Sequence, residues 1–430
     1  MQLKNILTFY LVKICKVEQL MIMQLYGNAV VGQSGGPTAA INATLAGVIR
    51  GALEVEEIGT LYGMRNGVEG LLDERLIDLS AYFDSEYKLK TLENTPAAAL
   101  GSCRKKLPKV GEDDALYEKL LSVFKKYDIR YFFYIGGNDS MDTVAKLSEY
   151  TKSNDYEMRI IGVPKTIDND LVGTDHTPGF GSAAKYIATT VSEIIRDCAV
   201  YTRDAVTIVE IMGRDAGWLT AASALGRLVG VPSPDLVYLP EAAFDMQEFF
   251  ASVREALKAR PNVVVAVSEG IRFADGRYVG EGKQSGATDV FGHRYLAGTG
   301  KALEMAVKDE IGCKVRSVEL NLPQRCASHL ASATDLRESV CVGKAAVFAA
   351  IDGVSREMMT INRVSESPYA FEISHSDIAS IANKVKAVPR EFINEQGNNV
   401  TDECLSYIMP LIEGETHPEF AHGLPVHIVL

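Results

Sequence analysis

Short runs of valine and isoleucine recur along the chain, each bounded by glycine or proline and each followed by a helical pattern, and this repeat limits the folds open to it. Eight runs read as strands: Asn28–Gly32, Ile58–Tyr62, Tyr131–Ile135, Ile160–Val163, Val206–Ile211, Leu236–Leu239, Val263–Ser268 and Val315–Leu320. Their continuous apolar character suits parallel strands covered on both faces. Helical stretches fall between them at Ala39–Leu53, Ala115–Lys126, Met141–Tyr150, Gly181–Cys198 and Met246–Lys258. Repeated strand–helix units predict a doubly wound α/β architecture. At 430 residues the chain exceeds one ordinary core, so two or more domains are expected. No Pro- or Ser-rich linker separates them, which places short connections and a cleft between the domains. Ligands of such sheets bind at the carboxyl ends of the strands.

The net charge of −12 argues against non-specific nucleic-acid binding, which needs a cationic surface. Seven scattered cysteines without a Cys-x-x-Cys pair argue against a disulfide framework or a zinc site, and point to a reducing, cytoplasmic setting. No apolar run is long enough to span a membrane. Residues 1–22 contain lysines and a short apolar stretch and lack a small-residue cleavage site, which makes a poor signal peptide. They are expected to be an extension outside the fold; an extra surface helix is the alternative.

Polar residues gather at six strand ends. Gly32-Gln-Ser-Gly-Gly-Pro-Thr38 lets backbone approach an anion at a helix start. Alone it equally describes a structural turn, and it is neither of the common nucleotide fingerprints. Gly136-Gly-Asn-Asp-Ser140 repeats the paired glycines and adds a carboxylate and a hydroxyl; these read either as helix caps or as a Mg²⁺ and phosphate site. Pro164-Lys-Thr-Ile-Asp-Asn-Asp170 sets two carboxylates beside a lysine and a threonine, a charge density that packing does not explain. Met212-Gly-Arg214, Glu269 and Asn321-Leu-Pro-Gln-Arg-Cys326 each put polar groups past an apolar strand. Arg214 and Arg325 have the forked geometry that suits phosphate.

Together these segments resemble the phosphofructokinase family in order and approximate spacing, and Leu100-Gly-Ser-Cys-Arg104 is similar to its arginine loop over the phosphates. The resemblance runs from about Tyr26 to Arg325 in motifs. It implies two doubly wound Rossmann-like domains with the active site in the cleft between them. Residues 23–180 would bind the phosphoryl donor, residues 181–325 the sugar phosphate, and residues 326–430 would complete both domains. ATP-using members look like Gly-Gly-Asp-Gly-Ser and Gly-Thr-Ile-Asp-Asn-Asp. This chain has Asp139 and Lys165 where those members have glycine, as the pyrophosphate-using members do. A side chain at Asp139 would fill the space of the nucleoside and α-phosphate, and Lys165 would supply a cation to a shorter donor.

The implied reaction is reversible phosphoryl transfer from pyrophosphate to the 1-hydroxyl of fructose 6-phosphate, a step of glycolysis and gluconeogenesis. Asp168 would be the general base, with Lys165 and Thr166 assisting. Gly35, Gly36, Arg104, Asp139 and Lys165 would bind pyrophosphate. Thr166, Ile167, Asp168, Met212, Gly213, Arg214, Glu269, Arg316, Gln324 and Arg325 would bind the sugar phosphate. Asn138 and Asp139 would meet Mg²⁺, although Asn138 stands where the family pattern has aspartate. Arg316, nine residues before Arg325, fits a family pattern in which arginines cross to a neighbouring subunit. The corresponding position before Arg214 is Ala205, with Arg203 nearby. A homodimer or homotetramer is expected. An ATP-dependent phosphofructokinase and a non-catalytic sugar-phosphate-binding homologue are the alternatives. The seven histidines are dispersed and receive no role, and His176 reads as structural.

Overall fold

A computed structural model describes residues 24–280 and 298–430. The expected extension over residues 1–22 lies outside them. The strands are β1 (Gly27–Gln33), β2 (Ile58–Met64), β3 (Leu76–Asp78), β4 (Ile129–Gly136), β5 (Arg159–Pro164), β6 (Ala205–Ile211), β7 (Leu236–Tyr238), β8 (Asn262–Ser268), β9 (Lys314–Glu319), β10 (Glu357–Glu366) and β11 (Tyr369–Asp377), followed by a two-stranded ribbon near the C-terminus. The helices that matter below are α1 (Ile41–Leu53), α2 (Asp114–Lys126), α3 (Asn138–Ser153), α4 (Phe180–Cys198), α5 (Met246–Ala259), α6 (Thr299–Glu310), α7 (Ala333–Ile351) and α8 (Asp402–Ile408). Every strand and helix expected from the sequence forms.

Two sheets organise the molecule. The larger runs β11-β10-β5-β4-β1-β2-β3, and the smaller runs β7-β8-β6-β9. Pairing is parallel throughout the smaller sheet and across the middle of the larger one. The larger sheet is closed off at its edges by β3 and β11, which run antiparallel to their neighbours. The central strands are the driest: Ala29, Val30, Val31, Phe132 and Phe133 are inaccessible to solvent, as are Val265 and Val267 of β8. Continuous apolar runs therefore appear where both faces are covered.

The C-terminal third serves both sheets. β10 and β11 extend the larger one, while Cys404, Leu405 and Ile408 of α8 join the core beneath the smaller one. α7 lies against α1 through a notch of glycines. A Cβ on Gly47 would meet the Val340 carbonyl at 2.2 Å, and one on Gly343 would meet the Thr44 carbonyl at 2.1 Å. Glycine inside a helix normally costs about 1 kcal/mol relative to alanine. Here it permits the close backbone approach that covers one face of the larger sheet.

Candidate active site

β1 leads on to β2 on one side and its neighbour β4 to β5 on the other, and in the smaller sheet β6 leads on to β7 on one side and its neighbour β8 to β9 on the other. Crevices open at such switch points. A cleft of about 530 Å³ lies there between the sheets, and residues from both line it.

The glycine loop after β1 is pinned to the arginine loop. Gly35 N donates to the Cys103 carbonyl at 3.1 Å, Ser102 Oγ donates to the Gly35 carbonyl at 2.5 Å, and Gln33 Oε1 accepts from Leu100 N at 2.9 Å. These bonds bring Arg104 to the cleft wall beside Gly35 and Gly36. Gly35 has φ +77°, and a Cβ there would lie 3.2 Å from Lys165 Nζ. A Cβ on Gly36 would lie 3.3 Å from an Arg325 nitrogen. The glycines thus keep open a space bounded by cations. Lys165 itself is buried and donates to the Gly36 carbonyl at 2.6 Å.

The second glycine pair ends β4. Gly137 caps α3 without a side-chain bond, so neither Asp139 nor Ser140 is the N-cap. Asp139 stands instead in the first turn, at the positive end of the helix, with its carboxylate in the cleft 3.0 Å from Lys106 Nζ. Asn138 donates its amide to the Lys384 carbonyl at 2.9 Å, and its buried Oδ1 has no hydrogen-bond partner.

The turn after β5 carries the carboxylates. Thr166 Oγ1 accepts from Asp168 N at 3.1 Å, and Thr166 pairs with Gly179 as an isolated bridge, which fixes the turn's base. Ile167 packs against the core under the smaller sheet and also borders the cleft, together with Asp168 and Asp170. Loss of water raises Asp168 to about 7, aided by the charges of Asp170 and Glu269 and opposed by Lys165. Asp170 is raised by burial as well. Burial lowers Lys165 to about 8, against the pull of Asp168 and Asp170. A carboxylate near neutrality and a lysine just above it have the ionisation that proton transfer and charge stabilisation require.

The smaller sheet supplies the opposite wall with Met212, Arg214, Glu269 and Arg325. Arg325 is lowered by burial and by the nearby charge of Arg104. Three expected contact residues sit elsewhere. Gln324 is buried behind the wall, where its Oε1 accepts from Met212 N at 3.1 Å. Gly213, at φ +125°, donates its N–H to Glu269 Oε1 at 3.4 Å, and its carbonyl accepts from Ser268 Oγ at 2.6 Å. Both therefore shape the wall rather than line it. Arg316 lies on β9, paired with Thr207 of β6, and borders a separate hollow with Arg203 and Lys314. It does not line the cleft of its own chain, because it sits near the amino end of β9, beside the starts of β6 and β8, whereas the cleft lies at the carboxyl ends. Lys106 and Asp215 line the cleft without having been singled out. The run Arg104-Lys-Lys106 was the available signal for the first. Among the described residues no cluster of three or more acidic, His or Cys side chains is arranged to hold a metal ion.

The family model for phosphofructokinase matches residues 28–350, which contain all six strand-end segments. The chain belongs to the phosphofructokinase family. Relatives include the pyrophosphate–fructose 6-phosphate 1-phosphotransferase of Halomonas elongata, 45% identical over 93% of this chain and 94% of that one. The enzyme of the same name from Methylococcus capsulatus is 43% identical over 94% and 96% of the two chains. The crystal structure of a pyrophosphate-dependent phosphofructokinase from Nitrosospira multiformis superposes with a TM-score of 0.84 at 40% identity, covering 94% of this chain and 96% of that one. Among the described residues of this phosphofructokinase, no helix is long and apolar enough to cross a membrane.

Proposed function

We propose that this phosphofructokinase transfers a phosphoryl group reversibly between pyrophosphate and the 1-hydroxyl of fructose 6-phosphate. The observation that carries the reading is the donor pocket itself: Lys165 and Asp139 project into it beside Gly35 and Gly36, leaving a short, cation-lined space. The names of relatives spanning most of the chain support the same donor.

Pyrophosphate lies against Gly35 and Gly36 and between Lys165, Arg104 and Lys106, with Asp139 closing the end. Fructose 6-phosphate lies against Met212, Arg214 and Glu269, its 6-phosphate on Arg325. Asp168 takes the proton from the 1-hydroxyl while Thr166 holds the turn. The freed oxygen bonds to the near phosphorus, the bridging P–O bond breaks, and phosphate leaves. Lys165, Arg104 and the backbone at Gly35 offset the charge that spreads over the transferring group, the largest catalytic demand of such a step.

Asn138 and Asp139 suit a Mg²⁺ ion held chiefly by the donor and water: one offers an orphaned oxygen, the other a carboxylate at the cleft. When bound, the ion would neutralise pyrophosphate charge. Arg316 and Arg203, out of reach of their own cleft, fit donation to a neighbouring copy in a dimer or tetramer. A reducing compartment such as the cytoplasm suits the unpaired cysteines.

The test is a purified-protein assay with fructose 6-phosphate and Mg²⁺, pyrophosphate against ATP. Fructose 1,6-bisphosphate formed with pyrophosphate is expected. Product with ATP alone would overturn the donor assignment, and no product with either would return the chain to a binding role.

A further inference from the structure

Asn169 stands between the two cleft carboxylates with φ +54°, and its side chain is wholly buried. A non-glycine residue in the left-handed region persists only where surrounding contacts impose it. Two side chains from the far end of the sequence do so. Lys386 Nζ donates to Asn169 Oδ1 at 3.2 Å, and Asn169 Nδ2 donates to Tyr407 Oη at 3.2 Å. Both also grip the carbonyl of Asp175, Lys386 at 2.5 Å and Tyr407 at 2.6 Å. The backbone of Lys386 closes the frame: its N–H donates to the Asp170 carbonyl at 2.8 Å, and its carbonyl accepts from Trp218 Nε1 at 3.0 Å. Asp170 follows the larger sheet, and Trp218 belongs to the core of the smaller. Neither Lys386 nor Tyr407 lines the cleft.

A buried ammonium is an expensive way to fill a core. The charged groups facing it are Asp170 and Asp175, which favour its proton, and Arg363, which opposes it, while the Trp218 ring lies 5.4 Å away. A methionine would fill the same volume without desolvating a charge, yet it could not hold the amide of Asn169. We propose that Lys386 and Tyr407 are positioning residues that set the height and angle of Asp168 by clamping Asn169, so that these two side chains tune catalysis without touching substrate. The proposal rests on Asp168 being the base of the proposed reaction.

The test uses Lys386→Met, Tyr407→Phe, their double variant, and Lys386→Met placed in an Asp168→Asn background. A loosened base can cost roughly 10²-fold in rate for about 1 Å of misplacement, so Lys386→Met should lose kcat on that order while both KM values stay within about threefold. Tyr407→Phe, which keeps its ring, should lose less. The double variant should lose less than the product of the singles, because both act on one amide. In the Asp168→Asn background Lys386→Met should change the residual kcat little. Unchanged kcat in Lys386→Met would overturn the proposal, as would an effect confined to KM or a full further loss in the Asp168→Asn background. If thermal unfolding shows Lys386→Met to be unfolded, Tyr407→Phe decides alone: a kcat equal to wild type overturns the clamp. Wild-type protein inactive with pyrophosphate, or an active Asp168→Asn variant, would instead bring down the reaction assignment on which the proposal rests.

Discussion

Replacing Asp168 by asparagine keeps the side chain's shape and removes its capacity to take a proton, so it isolates the base from the turn. General-base assistance is worth on the order of 10²–10⁴ in rate, or roughly 3–5 kcal/mol of barrier. A loss within that range is expected in kcat for the pyrophosphate reaction, with the KM for fructose 6-phosphate little changed. The pH profile gives a sharper reading. Burial and the neighbouring Asp170 and Glu269 raise Asp168 to about 7, so wild-type kcat/KM should fall on the acid side as pH drops through that value. Loss of the base form makes the decline about tenfold per pH unit. Asparagine has no proton to gain, and the acid limb should flatten. The alkaline limb should also move. Lys165 sits at about 8, and the charge of Asp168 is the foremost influence holding its proton there. Removing that charge lowers Lys165 further, so the alkaline decline should begin at lower pH. Initial rates of phosphate release from pyrophosphate between pH 5 and 10, with Mg²⁺ saturating, provide the measurement. Retention of more than about a tenth of wild-type kcat, or an intact acid limb in Asp168→Asn, would refute the base assignment.

Combining Lys165→Gly with Asp139→Gly should weaken pyrophosphate use and open the pocket to ATP; unchanged pyrophosphate kinetics would sink the donor argument. Lys106→Met removes the cation 3.0 Å from Asp139 and should raise the KM for pyrophosphate several-fold at unchanged KM for fructose 6-phosphate, as steady-state kinetics would show. Gly343→Ala drives a methyl toward the Thr44 carbonyl at 2.1 Å and should cost about 1–3 kcal/mol in urea unfolding, because two helices must separate. A midpoint equal to wild type would show that α1 and α7 are not in close contact.

How much could be read in advance follows from how local each signal is. β1, β4, β5, β6 and β8 announce themselves because both faces are buried, which makes most residues of each run apolar, Thr207 and Glu210 of β6 being exceptions. β10 and β11 do not: their exposed and half-buried positions alternate with polar residues, and they form an antiparallel edge whose pairing depends on a strand almost two hundred residues earlier. The cleft residues Gly35, Asp139, Lys165, Asp168 and Arg325 were legible because each follows a strand and each is of a type that packing would not choose. Gln324 and Gly213 carried the same signal and yet face the backbone of the wall, since a strand end needs polar groups to satisfy its own turn as well as to meet a ligand. Lys386 and Tyr407 lay beyond such reading altogether. A lysine in a loop and a tyrosine on the short helix α8 look like surface residues until the fold sets them on Asn169, more than two hundred positions away. Motifs mark where phosphate and sugar meet the protein; the groups that hold those motifs in place have no spacing rule, because their partners are chosen by the three-dimensional packing and not by neighbours in the chain.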